Sequence, residues 1–156
     1  MFRFLIVAGV ALSLVSCDSN RVYETNKDFD EGIWLVRDTA KFVFTIEDTT
    51  QAYNVFVNVR NSSEYETARL FMNYSLRDSS DHVTDQRLLE FLLFDQKTGE
   101  PFGKSGLGDI YEHAFILESK KTFPYRGQYE VRLNHMMRVD SLTEILSVGT
   151  RVEKSN

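Results

Sequence analysis

The 156-residue chain has one cysteine and two prolines. A single thiol closes no internal disulfide, so the fold must hold without one. Cys17 is left as a buried thiol, a reactive nucleophile, half of an intermolecular bridge or a modification site. Cations are fewer than anions, 18 Lys and Arg against 23 Asp and Glu, giving a net charge of −5. There is no basic block to follow a phosphate backbone, which argues against nucleic-acid binding. Low proline and frequent aromatics, 12 Phe and 7 Tyr, argue against disorder. No internal repeat or low-complexity tract is present.

Catalytic and metal signatures are equally scarce. His82, His113 and His135 show no ligand spacing, and neither H-E-x-x-H nor C-x-x-C occurs. Carboxylate neighbours such as Asp109 and Glu112 are what an acidic surface produces in any case. The stretch "GEPFGKSGLGD" (residues 99–109) approaches two motifs and meets neither. A P-loop ending at Gly103-Lys104-Ser105 needs glycine at position 98, where Thr98 stands, and a helix that Gly106 and Gly108 would break. The hydrolase elbow needs glycine where Leu107 stands. What remains is a long glycine-rich loop between strands, with Gly103, Lys104, Gly106, Gly108 and Asp109 as a candidate interaction surface.

The N-terminus is informative. Arg3 precedes an apolar stretch, residues 4–15, too short for the about 20 residues a spanning helix needs. A basic start, an apolar core and small residues at a junction make a secretory signal peptide. Its end, Leu14-Val15-Ser16-Cys17, has the form of a bacterial lipobox, with cleavage between Ser16 and Cys17 and a diacylglycerol group on the thiol. Palmitate-type acyl chains bury about 0.8 kcal/mol per methylene, so two or three anchor a domain stably. The expected organisation is a lipoprotein signal peptide over residues 1–16, a lipidated tether over 17–30 and a folded domain over 31–156. No cofactor is expected beyond the covalent lipid on Cys17.

Beyond the tether the chain alternates with period two, the pattern of half-buried strands. Phe42, Phe44 and Ile46 share one face, as do Tyr53, Val55, Val57 and Val59, then Leu70, Met72, Tyr74 and Leu76, then Tyr129, Val131 and Leu133. The continuous apolar run at residues 88–94 predicts a central strand covered on both faces, and further strands are expected near 33–36, 112–117 and 145–153. Short polar turns between them predict an all-β antiparallel β-sandwich of seven to eight strands, with short helical turns near 63–67 and 136–142. Trp34, between Ile33 and Leu35, reads as a core or tether-packing residue rather than a sugar platform.

The leader ending in Cys17-Asp18, then Tyr23-Glu24, Trp34, "YNVFVNVRN" (residues 53–61), "GKSGLGDIYE" (103–112), "GQYEVRLNHMMR" (127–138) and "LTEILSVGTRVE" (142–153) form an ordered set. Taken together, these segments resemble the GldH family of gliding-motility lipoproteins. One strand departs from the pattern, "YETARLFMNYSL", so the surface it presents differs. The resemblance implies a membrane-anchored accessory of the gliding machinery, tied to protein secretion through the envelope, with protein partners and no enzyme activity. Neither nucleic acid nor nucleotide is an expected partner, on the acidic balance and the failed P-loop match above. The segment after Cys17 lacks an acidic run of the kind associated with surface export, which favours the periplasmic face of the outer membrane. The alternative from another class is a carbohydrate-binding envelope lipoprotein using Phe56 or Trp34. An envelope hydrolase would require convergent carboxylates that the sequence does not display.

Overall fold

Alternation becomes burial most plainly in β4 (Tyr53–Ser62), where Tyr53, Val55, Val57 and Val59 are buried and Asn54, Phe56, Asn58 and Arg60 face outward. In the computed structural model, which describes residues 19–156, β4 is the middle of a five-stranded antiparallel sheet. It is flanked by β11 (Ile145–Lys154) and β8 (Ile110–Lys121), with β1 (Arg21–Asp28) and β7 (Lys104–Ser105) at the edges. A four-stranded sheet faces it, in the order β3 (Ala40–Ile46), β9 (Gly127–His135), β5 (Arg69–Arg77) and β6 (Val83–Leu92). The small pair β2 (Ile33–Leu35) and β10 (Ser141–Thr143) covers one end. The expected antiparallel all-β class holds, with eleven strands among the described residues where seven or eight were expected. Ser16 and Cys17 lie outside the described residues.

The apolar faces of the two sheets meet in one core. Each end of the slab is plugged by aromatics. At one pole Phe123 packs against Phe44 (5.9 Å), Tyr53 (5.7 Å) and Tyr129 (4.6 Å). At the other, Trp34 stacks on Phe29 at 4.9 Å, meets His135 edge-on at 5.3 Å, and donates its indole N–H to the Asp38 carbonyl at 2.7 Å. Trp34 is wholly buried and belongs to the core.

Three local expectations change. Residues 21–28, read as tether, form β1, which pairs with β11 from Arg21↔Glu153 to Asp28↔Ser147. An edge strand is held by backbone hydrogen bonds on one side, and here only Tyr23 packs an aromatic ring inward, 5.9 Å from Phe44. Its sequence therefore looks like a linker. Second, the apolar run at 88–94 belongs to an edge strand and its exit: Leu89 and Phe91 turn inward, while Leu88 is 64 % exposed. Third, the segment near 63–67 is a turn and irregular chain, the segment near 136–142 is a bend running into β10, and the helical piece among the described residues is the 3-10 turn Asp30–Gly32.

Replacing Trp34 by alanine removes the plug at one pole and strands the space beside Phe29 and His135. The expected loss is about 3–5 kcal/mol, read as a fall in the urea midpoint at unchanged slope.

Candidate functional site

The outward residues of β4 form the floor of an open hollow of about 550 Å³ on the outer face of the five-stranded sheet. Strand register sets three rows across it. One runs Glu24, Arg151, Phe56, Ile116; the next Asn26, Gly149, Asn58, Ala114; the third Ser147, Arg60, Glu112, Lys104. The middle row is low because its residues are small. At Gly149 a Cβ would stand 1.8 Å from Asn26 Oδ1 and 2.7 Å from the Thr25 carbonyl, so only glycine lets the Asn26 amide lie there. The walls are the Arg151 guanidinium, 4.3 Å over the Phe56 ring, and the Arg60–Glu112 ion pair at 3.2 Å. Asn58 donates its amide N–H to Glu24 Oε1 at 3.0 Å, and Arg151 pairs with Glu153 at 3.1 Å. Paired and open to water, these groups contribute at most about 1 kcal/mol each and hold one another in place.

The predicted interaction loop is more ordered than its glycines suggest, and it divides. Lys104 and Ser105 pair with Glu112 and Tyr111, so Gly103 and Lys104 border the hollow. Gly106, Gly108 and Asp109 do not. Gly106 donates its N–H to the Ile110 carbonyl at 2.8 Å, and Gly108 takes a left-handed φ of +69°. The Asp109 carbonyl accepts from the Ser63 N–H at 2.7 Å. These three residues build a hairpin turn and tie it to the end of β4. Leu107 at its tip is 93 % exposed.

Sequence reasoning missed what lies behind the loop. His113 points into the sandwich, stacks on Phe115 at 5.6 Å and 7°, and faces Asn61 Oδ1 through Nε2 at 3.0 Å. Since the amide oxygen only accepts, Nε2 carries the proton, while Asn61 donates its amide N–H to the Ser62 carbonyl at 2.9 Å. Burial pushes the His113 pKa down to about 4. Gly103 packs on this pair so closely that a Cβ would sit 2.7 Å from the imidazole and 2.8 Å from the Glu112 carbonyl. The register 59↔113 that puts His113 next to the end of β4 is a long-range pairing with no local signal. The other histidines are elsewhere: His82 is exposed in the 78–82 turn, and buried His135 lies under Trp34 with its pKa lowered by burial. Among the described residues no three His, Cys, Asp or Glu side chains gather as a metal site.

The model of the GldH lipoprotein family matches residues 21–152, nearly the whole described domain. The chain belongs to the GldH lipoprotein family. It is 30% identical over 162 aligned positions to the gliding motility lipoprotein GldH homolog of Christiangramia forsetii, covering 99% of this chain and 97% of that one. It is 29% identical to the gliding motility lipoprotein GldH of Flavobacterium johnsoniae, covering 97% and 96%. Membership of a GldH gliding-motility lipoprotein family supports an accessory, envelope-associated role. Likeness to solved structures is too low to carry an argument. Infectious bursal disease virus VP2 gives a TM-score of 0.37 at 10% identity, over 97% of this chain and 38% of that one. Latent PorU of Porphyromonas gingivalis gives 0.38 at 6% identity, over 87% and 13%.

Two outcomes follow from the buried pair. His113 has a folded pKa of about 4, below its unfolded value of about 6.5, so the unfolded chain takes up the proton first as pH falls. Its contribution to stability is complete above about pH 6.5 and declines towards pH 4, by roughly 3 kcal/mol in all. Urea midpoints at both pH values, for the parent and His113→Gln, isolate this share, because carboxylates and His135 cancel in the difference. Gly103→Ala should cost about 1–3 kcal/mol in the same assay, since one of the crowding atoms is backbone and cannot swing away.

Proposed function

We propose that the chain is a non-catalytic accessory lipoprotein, anchored through lipid on Cys17 and acting by protein–protein contact within the gliding and secretion apparatus. The periplasmic face of the outer membrane is the location this reading assigns. The observation that carries it is the gathering of five of the eleven large exposed apolar side chains of the described residues. Val36, Phe102, Leu107, Met136 and Val139 all sit on connections at one pole, opposite the end where the chain runs back towards Cys17. Apolar side chains held on short, hydrogen-bonded loops of a rigid sandwich form a docking surface whose ordering cost is already met. A second reading, glycan binding, is favoured by the Asn26 and Asn58 amides in the hollow and by Phe102, 59 % exposed at its rim. Glycan-array signal lost in Phe102→Ala would turn the assignment that way.

Cys17→Ala should move the protein from the membrane to the soluble fraction, with loss of incorporated radiolabelled palmitate and of colony spreading in a gliding host. Leu107→Asp combined with Met136→Asp should leave folding and membrane attachment intact and still impair spreading. Normal spreading by that double variant would count against the apolar pole as the working surface.

A further inference from the structure

We infer that the pole bearing Lys120, Lys121, Arg126 and Lys154 lies against the phospholipid headgroups of the membrane that anchors the chain. This deepens the lipoprotein reading and rests on lipid at Cys17. The first support is reach. β1 begins at Arg21, four residues after Cys17, a span of at most about 14 Å when fully extended. Asn20 is held at this pole, where its carbonyl accepts the Lys154 N–H at 2.7 Å. Strands of ten residues such as β4 make the sandwich roughly 33 Å tall. The link is shorter than the domain, so the opposite pole cannot be turned onto the same bilayer.

The second support is chemistry. Register aligns the strand ends Arg21↔Glu153, Lys154↔Tyr53 and Tyr53↔Lys121, and the connection that follows reads Thr122-Phe123-Pro124-Tyr125-Arg126. Lys120, Arg126 and Lys154 are exposed. Lys121 is partly buried, 4.0 Å from Glu118 with its ammonium over Phe123. Lys120 also holds a left-handed φ of 53°, its N–H donated to Asn54 Oδ1 at 3.0 Å. Glycine or asparagine fits such a position better, so the fold does not call for lysine there. Tyr125, half exposed beside these cations, completes the aromatic-and-basic combination found at membrane interfaces.

Carboxylates share this pole, and their hydrogen bonds and ion pairs hold most of them in place, with the Asp48 and Asp78 charges retained. Asp78 accepts from the Ser80 and His82 N–H groups and from the Tyr125 hydroxyl, Asp81 pairs with Arg77 and Arg132, and Asp48 binds Thr50. Glu47 is exposed as well. The connections at the opposite pole carry ten carboxylates and four cations, while those at this pole carry four carboxylates and Arg126, offset by Lys120, Lys121 and Lys154 at the strand ends, so an anionic surface repels that end far more strongly than this one.

The test uses the full lipidated protein in phosphatidylethanolamine/phosphatidylglycerol vesicles containing headgroup spin-labelled lipid. Cys17 is blocked as a thioether, so Thr122→Cys or Leu107→Cys carries the sole reactive thiol for a fluorophore. Quenching should be roughly threefold or more stronger at 122 than at 107. Reversing Lys120, Lys121, Arg126 and Lys154 to Glu, or adding about 0.5 M NaCl, should cut the signal at 122 by about half while the vesicles still float the protein. Equal quenching at the two sites, or quenching at 122 indifferent to charge reversal in a variant with native circular dichroism, overturns the orientation. Flotation of Cys17→Ala instead overturns the anchor, a separate readout.

Discussion

Everything in this domain hangs on the apolar contact between two antiparallel sheets, and on β4 more than on any other strand. Val55, Val57 and Val59 are fully buried, each pointing into the slab from the middle of the larger sheet. A sheet buries only one face, so placing these side chains inward obliges Phe56, Asn58 and Arg60 to line the other. The hollow is thus the reverse side of the core. A one-residue slip of β4 would exchange the two and lose both.

A sandwich has open sides and ends, and the chain closes each with a different device. Between β1 and β3 the side is shut by Tyr23 on Phe44, and between β6 and β8 by Phe91 stacked on Phe115 at 4.3 Å. Arg87 adds an ion pair to Glu118 across the latter gap and lies over the Tyr74 ring at 5.5 Å. Burial raises the Tyr74 hydroxyl pKa well above that of a free phenol, keeping it neutral at the core margin. The ends are closed by Trp34 and Phe123, both on segments outside the two main sheets. Loops at one pole are therefore tied down by a tryptophan plug. They can present Leu107, Met136 and Val139 without themselves being loose.

How far the sequence could be read depended on whether the signal was local. Strands β3, β4, β5 and β9 were legible because each carries its own two-residue period, and Trp34 because its neighbours are apolar. β1 was not, since an edge strand is specified by hydrogen bonds to β11, 119 or more residues away, and shows a polar composition. The run at 88–94 misled for a related reason: exposed Leu88 and Leu92 fill outward positions where polar residues are usual, and periodicity then disappears. The glycine-rich loop stood out in the sequence as one stretch, and its parts were not separable there. Gly103 is needed against His113, while Gly106 and Gly108 merely turn the hairpin.

The sequence alone determined the all-β class, the inward and outward faces of the main strands and the family, and it is the source of the proposal that Cys17 is lipidated. Each of these resides in spacing or residue pattern along the chain. Tertiary structure alone decided that Arg151 lies over Phe56, that Arg60 meets Glu112, that His113 is kept neutral against Asn61, and that Lys120 and Lys154 share a pole with the chain's exit. The reason is physical: pairing register couples residues dozens of positions apart through backbone hydrogen bonds. No local period encodes which strand lies beside which.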